Sequence, residues 1–179
     1  MNTVEYWNKA ALDTDVDDKY ICDIPVELCW SDLGYMDGTV LEIGCGVGRL
    51  MKRGDYGIDI SQNMLDIAKQ RKPNCRFRIN KNGNIPYRAS MFDNVYCYLV
   101  FQHLKPDEIK SYMNETYRVL KRGGKFTFQF IVGDEREPLS NHYGIDEMVE
   151  MMHKSGFKTV WNKPSVAHEL WLMMGATKE

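Results

Sequence analysis

Leu41-Glu42-Ile43-Gly44-Cys45-Gly46-Val47-Gly48-Arg49 is the stretch that decides the fold. The apolar, β-branched run from Gly38 to Ile43 reads as a buried strand, and it runs straight into three alternating glycines. Residues without side chains let a backbone turn sharply and come close to a ligand. The N–H groups of such a turn also offer donors to an anion. The dinucleotide fingerprint G-x-G-x-x-G does not fit, because the third glycine comes one residue early and position 49 is Arg. Only Arg49 to Asp55 separates the loop from the next strand, Tyr56 to Ile60, which leaves room for a helix of one or two turns.

Outward from this loop, strands and helices alternate. Ser61 is placed to cap a helix carrying Met64, Leu65 and Ala68 on one face. Cys75 to Ile79 alternates Phe77 and Ile79 with Arg76 and Arg78 as a third strand, and Phe92 to Leu99 is a fourth. Pro106, Asp107 and Glu108 suit the first turn of a long helix. Its buried stripe is Ile109, Tyr112, Met113, Thr116, Tyr117 and Leu120. Lys121 and Arg122 complement the last turn, and Gly123-Gly124 stops it. Lys125 to Val132 is a fifth strand with Phe126, Phe128 and Phe130 pointing one way. A helix over Ile145 to Ser155 ends at Gly156, and strands at Phe157–Trp161 and Glu169–Ala176 close the chain around Asn162-Lys163-Pro164. Strands joined by helical crossovers predict an α/β, doubly wound, mostly parallel sheet covered on both faces. The short final link predicts an antiparallel edge hairpin. Ligands of such sheets bind at the carboxyl ends of the strands, where strand order reverses.

Two carboxylates stand at that edge. Glu42 ends the first strand, and Asp59 ends the second, where an acid can accept both ribose hydroxyls of a nucleoside. With these residues in view, the sequence resembles the class I S-adenosylmethionine-dependent methyltransferases, of the group whose domain acts on small molecules. Glu42-x-Gly44-x-Gly46-x-Gly48 matches the first motif of that family, and Asp59 its ribose-binding acid. Phe92-Asp93-x-Val95 followed by Val100-Phe101-x-His103-Leu104 matches its fourth-strand block, and Leu120-Lys121-Arg122-Gly123-Gly124 the turn before its fifth strand. The resemblance runs from about Val40 to the C-terminus and implies a Rossmann-like sheet of seven strands.

It also implies S-adenosylmethionine as cofactor and S-adenosylhomocysteine as product. The backbone of Gly44, Cys45, Gly46 and Gly48 would pack on the methionine part of the cofactor, with Glu42 ordering the loop and the amino acid ammonium. Ile60 and Met64 would flank the adenine, Asn82 and Gly83 would rim its other side, and Tyr98 completes the expected cofactor contacts. Where the family often has an acid followed by a small residue, this chain has Lys81-Asn82, and an ammonium cannot accept a hydrogen bond.

Methyl transfer from a sulfonium is an in-line displacement on an activated carbon. The protein therefore mainly positions the reactants, with a base needed only where the acceptor must lose a proton. His103, after the fourth strand, is the candidate base; His142 and Tyr143 lie in the loop after the fifth strand, expected to border the substrate mouth. Acceptors of nucleic-acid amine type are disfavoured, because an Asn/Asp/Ser-Pro-Pro-aromatic block is replaced by Tyr98-Leu99-Val100-Phe101. There is no Pro-Cys pair for cytosine-carbon chemistry, and no carboxylate set that would hold a catechol-type metal. The alternative reading is a catalytically silent S-adenosylmethionine-binding regulatory or scaffold protein, motivated by the short loop helix and by Lys81.

Composition bounds these readings. With 179 residues, 44% apolar and 27% charged, the chain has the balance of one folded domain, read as residues 1–179. That domain comprises a helical cap over 1–37, bearing Tyr6, Trp7, Tyr20 and Trp30, and a core over 38–179. Lys and Arg number 23 against 25 Asp and Glu, so the basic field that general nucleic-acid binding needs is lacking. The longest apolar run, Val95 to Phe101, is too short to cross a bilayer. Five cysteines without C-x-x-C spacing fit a reducing compartment, and the expected location is the cytoplasm.

Overall fold

Val40–Ile43 (β1) is buried along its whole length, which is what a strand with neighbours on both sides and layers on both faces requires. It pairs in parallel with Tyr56–Asp59 (β2) on one side and with Phe92–Cys97 (β4) on the other, Leu41 standing opposite both Tyr56 and Val95. The computed structural model describes residues 3–12, 24–81, 83–133 and 140–179. From β1 the sheet grows outward through β2 to Arg76–Ile79 (β3), and through β4 to Leu120–Val132 (β5). Beyond β5 lie two antiparallel strands, Trp171–Thr177 (β8) and then Val160–Pro164 (β7). The order is β3-β2-β1-β4-β5-β8-β7, the expected seven-stranded, doubly wound arrangement, and the two-residue strand His142–Tyr143 (β6) adds in parallel to the end of β5. Strand order reverses between β1 and β4, so the carboxyl ends of those two strands open a crevice.

Among the described residues, five α-helices dress the sheet. Thr3–Ala10 (α1) and Val26–Leu33 (α2) fall inside the expected cap. Gln62–Arg71 (α3) starts at Ser61, whose Oγ accepts from the Met64 N–H at 3.2 Å. Pro106–Val119 (α4) opens with its proline in the first turn, and the Lys105 N–H donates to Glu108 Oε2. Its buried stripe packs with Ile145–Lys154 (α5), Phe157 and the row Phe126, Phe128 and Phe130 into the larger core. On the other face α2 sets Cys29 and Leu33 against Val40, Tyr96 and Met173.

Three local expectations are corrected. First, α4 stops at Val119: Leu120 is extended, and Lys121, Arg122 and the two glycines already belong to β5. The Gly123 N–H donates to the Lys178 carbonyl and the Lys178 N–H to the Gly124 carbonyl, so pairing with the C-terminal tail carries the strand past the glycines. Lys121 Nζ then reaches Asp93 at 2.7 Å. Second, Asn162-Lys163-Pro164 lies within β7, and the turn is Ser165 to Leu170. Proline is tolerated there because β7 is an edge strand, and Ser165 Oγ accepts from the Ala167 and His168 N–H groups to shape the turn.

Third, no helix forms between Gly48 and β2. Residues 44–55 cross as turns, and α2 takes the helix's place over the sheet. The crossover is pinned instead by side chains. Arg49 donates to the Ile24 carbonyl, the Lys52 ammonium lies 3.4 Å from the centroid of the Trp30 ring, and Lys72 Nζ donates to the Met51 carbonyl at 2.9 Å. Among the described residues no helix is long and apolar enough to cross a membrane.

Candidate functional site

The crevice between the ends of β1 and β4 is a cleft with an empty volume of about 950 Å³, its open mouth included. Its floor is the glycine loop. Gly44 turns at φ +69°, and its N–H and that of Cys45 both donate to the Ile58 carbonyl, which folds the loop back onto β2. A Cβ on Gly44 would lie 2.3 Å from Val100 Cγ2, so this glycine is dictated by close packing as well as by backbone hand. Gly46, at φ +50°, has open space where its Cβ would stand and faces the cleft. Its N–H donates to Asp59 Oδ2 at 2.9 Å, while Asp59 Oδ1 accepts from the Ser61 N–H at 2.8 Å. One carboxylate thus clamps the loop to the end of β2.

The walls come from four other elements. Ile60 and Met64 follow Asp59, and Asn80 and Tyr112 also line the cleft. Tyr98, Leu99 and Val100 leave β4, with Leu99 held at φ +61°, an uncommon conformation for a branched residue. The Leu99 N–H donates to Gln129 Oε1 at 3.1 Å, which fixes that bend. The Tyr98 hydroxyl donates to buried Asp32 of α2, which also accepts from the Ser165 hydroxyl and the Val166 N–H. Across the mouth lies α1. The Ser61 hydroxyl donates to Asn8 Oδ1, Ala10 and Ala11 pack on Val47 and Met64, and the Trp7 ring meets that of His103 edge-on at 5.3 Å.

Of the residues expected from sequence, Glu42, Gly44, Cys45, Gly46, Asp59, Ile60, Met64, Tyr98 and His103 all line this cleft. Gly48 lies behind it, at φ +79° against Ala68 and Lys72 of α3, and shapes the loop without facing the cleft. Gly83 lines a neighbouring cavity with Ser111, Asp107 and Glu108. Asn82, and the expected cap residue Tyr20, lie outside the described residues. Neither loop candidate borders the mouth: Tyr143 is fully buried in the larger core, its hydroxyl donating to the Leu104 carbonyl, and His142 pairs with Ile131 in β6. Sequence reading missed Asn80, Tyr112, Arg49 and Leu50. Asn80 and Tyr112 are brought here only by tertiary packing, whereas Arg49 and Leu50 directly continue the glycine loop.

The methyltransferase domain family matches residues 41–128, the segment that builds this floor and both of its acids. An uncharacterized protein of Methanocaldococcus jannaschii is 30% identical over 149 residues, covering 74% of this chain and 71% of its own. The chain belongs to the class I S-adenosylmethionine-dependent methyltransferases. The 18S rRNA (guanine(1575)-N(7))-methyltransferase of Saccharomyces cerevisiae is 28% identical over 135 residues, which is 66% of this chain and 46% of the yeast protein, so the chain spans less than half of that relative. A methyltransferase from Thermotoga maritima, described as a possible histamine N-methyltransferase, has the same fold with a TM-score of 0.68 at 20% identity, covering 98% of this chain and 94% of that one.

The cleft of this methyltransferase fits the cofactor of its family on its own geometry. The floor at Gly46 is bare, an ionisable carboxylate stands at each strand end, and the lining is otherwise largely apolar. Burial dominates both acids. It pushes the Glu42 carboxyl well above the usual range, against the Tyr96 hydroxyl that donates to it at 2.9 Å, with Asp55 and Asp59 adding repulsion and Lys72 easing it. Burial also raises Asp59, opposed by its backbone donors.

A buried acid with a raised pKa keeps its proton in the folded chain at pH values where the unfolded chain has lost it. Its contribution to stability is therefore intact below the unfolded value of 4.5 and declines as pH rises above it. Glu42→Gln keeps an acceptor for Tyr96 and removes the titration. We expect Glu42→Gln to melt above the wild type at about pH 8, with the gap closing toward acid; equal melting temperatures across the range would show that Glu42 is comfortably ionised.

Proposed function

We propose that this methyltransferase holds S-adenosylmethionine along the glycine loop and transfers its methyl group in line to a small or medium-sized acceptor entering beside His103. The observation that carries the reading is the Asp59 carboxylate, joined to the Gly46 N–H in one cleft that His103 and Trp7 also line. Asp59, with a lone pair left beyond its backbone donors, would take the ribose hydroxyls, the bare Gly46 backbone the methionine chain, and Ile60 and Met64 the purine faces. The cofactor supplies a methyl already activated on a sulfonium. The chain supplies position: Leu50, Leu99, Val100 and Leu104 make the wall apolar, and α1 screens it from water. His103 Nδ1 or Nε2 would take a proton where the acceptor must shed one.

The near-neutral charge of −2 and a mouth crossed by α1 favour a compact acceptor over a nucleic acid. A reducing, cytoplasmic setting belongs to the same reading, supported by free thiols at Cys29, Cys45, Cys75 and Cys97. Titration calorimetry tests it. S-adenosylhomocysteine should bind and NAD should not, and radiolabelled methyl should pass from S-adenosylmethionine to a component of a small-molecule extract. His103→Asn should lower kcat and leave S-adenosylhomocysteine affinity unchanged. Absence of S-adenosylhomocysteine binding sinks the proposal, whereas binding without transfer to any acceptor would favour the silent, regulatory alternative.

A further inference from the structure

The net charge of −2 hides a lopsided distribution. Residues 49–88 carry ten Lys and Arg against three Asp. Of those three, Asp55 and Asp59 are buried, and Asp66 pairs with Lys69 at 2.9 Å. The excess surrounds β3, the outermost strand on that side of the sheet. Arg76 and Arg78 project from one face of β3, Arg53 precedes β2, Arg71 ends α3, and Lys81 and Arg88 follow β3, all of them exposed. Backbone groups are open there as well. The N–H groups of Arg76 and Asn80 donate to the Asp55 and Asp59 carbonyls, so the even-numbered residues face β2. Phe77 and Ile79 therefore turn their N–H and C=O groups to the open edge. Both guanidiniums are held in place. Arg76 lies 5.1 Å from the Tyr56 ring centroid, and Arg78 lies 4.7 Å from that of Tyr87 while donating to the Pro86 carbonyl at 2.6 Å. Among the described residues neither of them meets a carboxylate.

We infer that the open edge of β3 docks a strand of an acidic protein partner, one in which carboxylates alternate with apolar side chains. Charge and pitch choose this occupant. Residues two apart on a strand stand about 6.6 Å from each other. Carboxylates at alternate positions of an added strand thus fall in step with Arg76 and Arg78 as opposite-charge cross-strand pairs. The other face of that strand would meet Phe77 and Ile79, which are half-buried beside Cys45, Met51 and Leu65. A second copy of this chain is opposed by the same groups. Setting β3 against β3 brings arginine beside arginine, and the other outer strand, β7, offers Lys163 and no acid. Charged side chains on an outer strand do ward off self-pairing. Arg76 and Arg78 suffice for that, and the exposed cations at 53, 71, 81 and 88 extend the field well beyond the strand. A phosphate backbone would use the cations but leave the Phe77 and Ile79 backbone groups unpaired. The inference does not depend on what the cleft holds.

The test uses the full chain and a short fluorescent peptide of alternating Glu and Val as probe. Fluorescence anisotropy at low salt reads binding, and hydrogen exchange followed by NMR reads the Phe77 and Ile79 amides. The Glu-Val peptide should bind, slow exchange at both amides, and weaken as salt is added. A Lys-Val peptide should bind at least about tenfold more weakly. A Glu-Val peptide with N-methyl groups on alternate amides should lose affinity, because it cannot complete the ladder. Arg76→Glu combined with Arg78→Glu should reverse the preference between the Glu and Lys peptides, in a chain shown by its melting curve to be folded. No binding of the Glu-Val peptide, equal binding of the two peptides, or binding with unchanged exchange at Phe77 and Ile79 overturns the inference. Oligouridylate that binds more tightly than the Glu-Val peptide would make this a nucleic-acid surface and overturns it too. These comparisons on the wild type decide even if the double variant fails to fold.

Discussion

Asp59→Ala is expected to weaken S-adenosylhomocysteine binding by about 2–3 kcal/mol, roughly thirtyfold to 150-fold. The size follows from two losses. A ribose diol bound by a carboxylate makes charge-assisted hydrogen bonds, worth about twice neutral ones. The carboxylate also holds the Gly46 and Ser61 N–H groups at 2.9 and 2.8 Å, so its removal frees the loop that forms the cleft floor. Asp59→Asn separates the two. Its single oxygen can accept from only one of those N–H groups, and its amide hydrogens then point at the other donor. Asp59→Asn should therefore also bind poorly, by about 1–2 kcal/mol, despite its matching shape. Calorimetry on both variants, with a melting curve to show that each is folded, measures this; affinity retained in Asp59→Asn would remove the carboxylate from the ribose.

That Asp59 would stand beside the glycine loop was legible from spacing, because an acid ending the second strand after a glycine loop needs no tertiary information to be noticed. The same holds for Ser61, whose capping role is a local matter of three residues, and for the α4 entry at Lys105, Pro106 and Glu108. What the sequence could not carry is set by contacts between distant segments. Gly123-Gly124 has the look of a helix stop, and it became strand because Lys178, more than fifty residues away, pairs with both glycines. Residues 44–55 were expected to wind into a short helix. They do not, because α2 fills the space over the sheet and Lys52 and Arg49 bind to its end of the chain.

The site divides along the same line. Glycines and acids on the loop announce themselves, whereas Asn80 and Tyr112 meet only once β3 and α4 are packed, and Tyr98 is oriented by Asp32 from sixty-six residues earlier. The loop histidine and tyrosine misled for the reverse reason. A polar pair after the fifth strand suggests a mouth, but β6 adds to the sheet and draws Tyr143 into the core.

Gly44→Ala is expected to cost about 2–5 kcal/mol of stability, a fall in melting temperature of roughly 4–20 °C for a chain of this size. Two separable penalties add up to it. An L-residue at φ +69° costs roughly 1–2 kcal/mol. A methyl 2.3 Å from Val100 Cγ2 and 3.2 Å from Cγ1 forces the segment after β4 to shift, for about 1–3 kcal/mol of overpacking. Val100→Ala in the same chain removes both clashing methyls, so the double variant should recover the packing part and keep the backbone part. Gly46→Ala provides the contrast. Its φ of +50° carries similar strain, but nothing stands within 4 Å of the added carbon on the protein side. Gly46→Ala should thus lose only about 1–2 kcal/mol of stability while its methyl projects into the cleft, so that S-adenosylhomocysteine affinity falls more than the melting temperature implies. Urea unfolding of the three variants, paired with calorimetry on the two single glycine variants, resolves the matter. If Gly44→Ala and Gly46→Ala lose equal stability and equal affinity, the loop is yielding as a whole and the division into a packing glycine and a ligand-facing glycine is wrong.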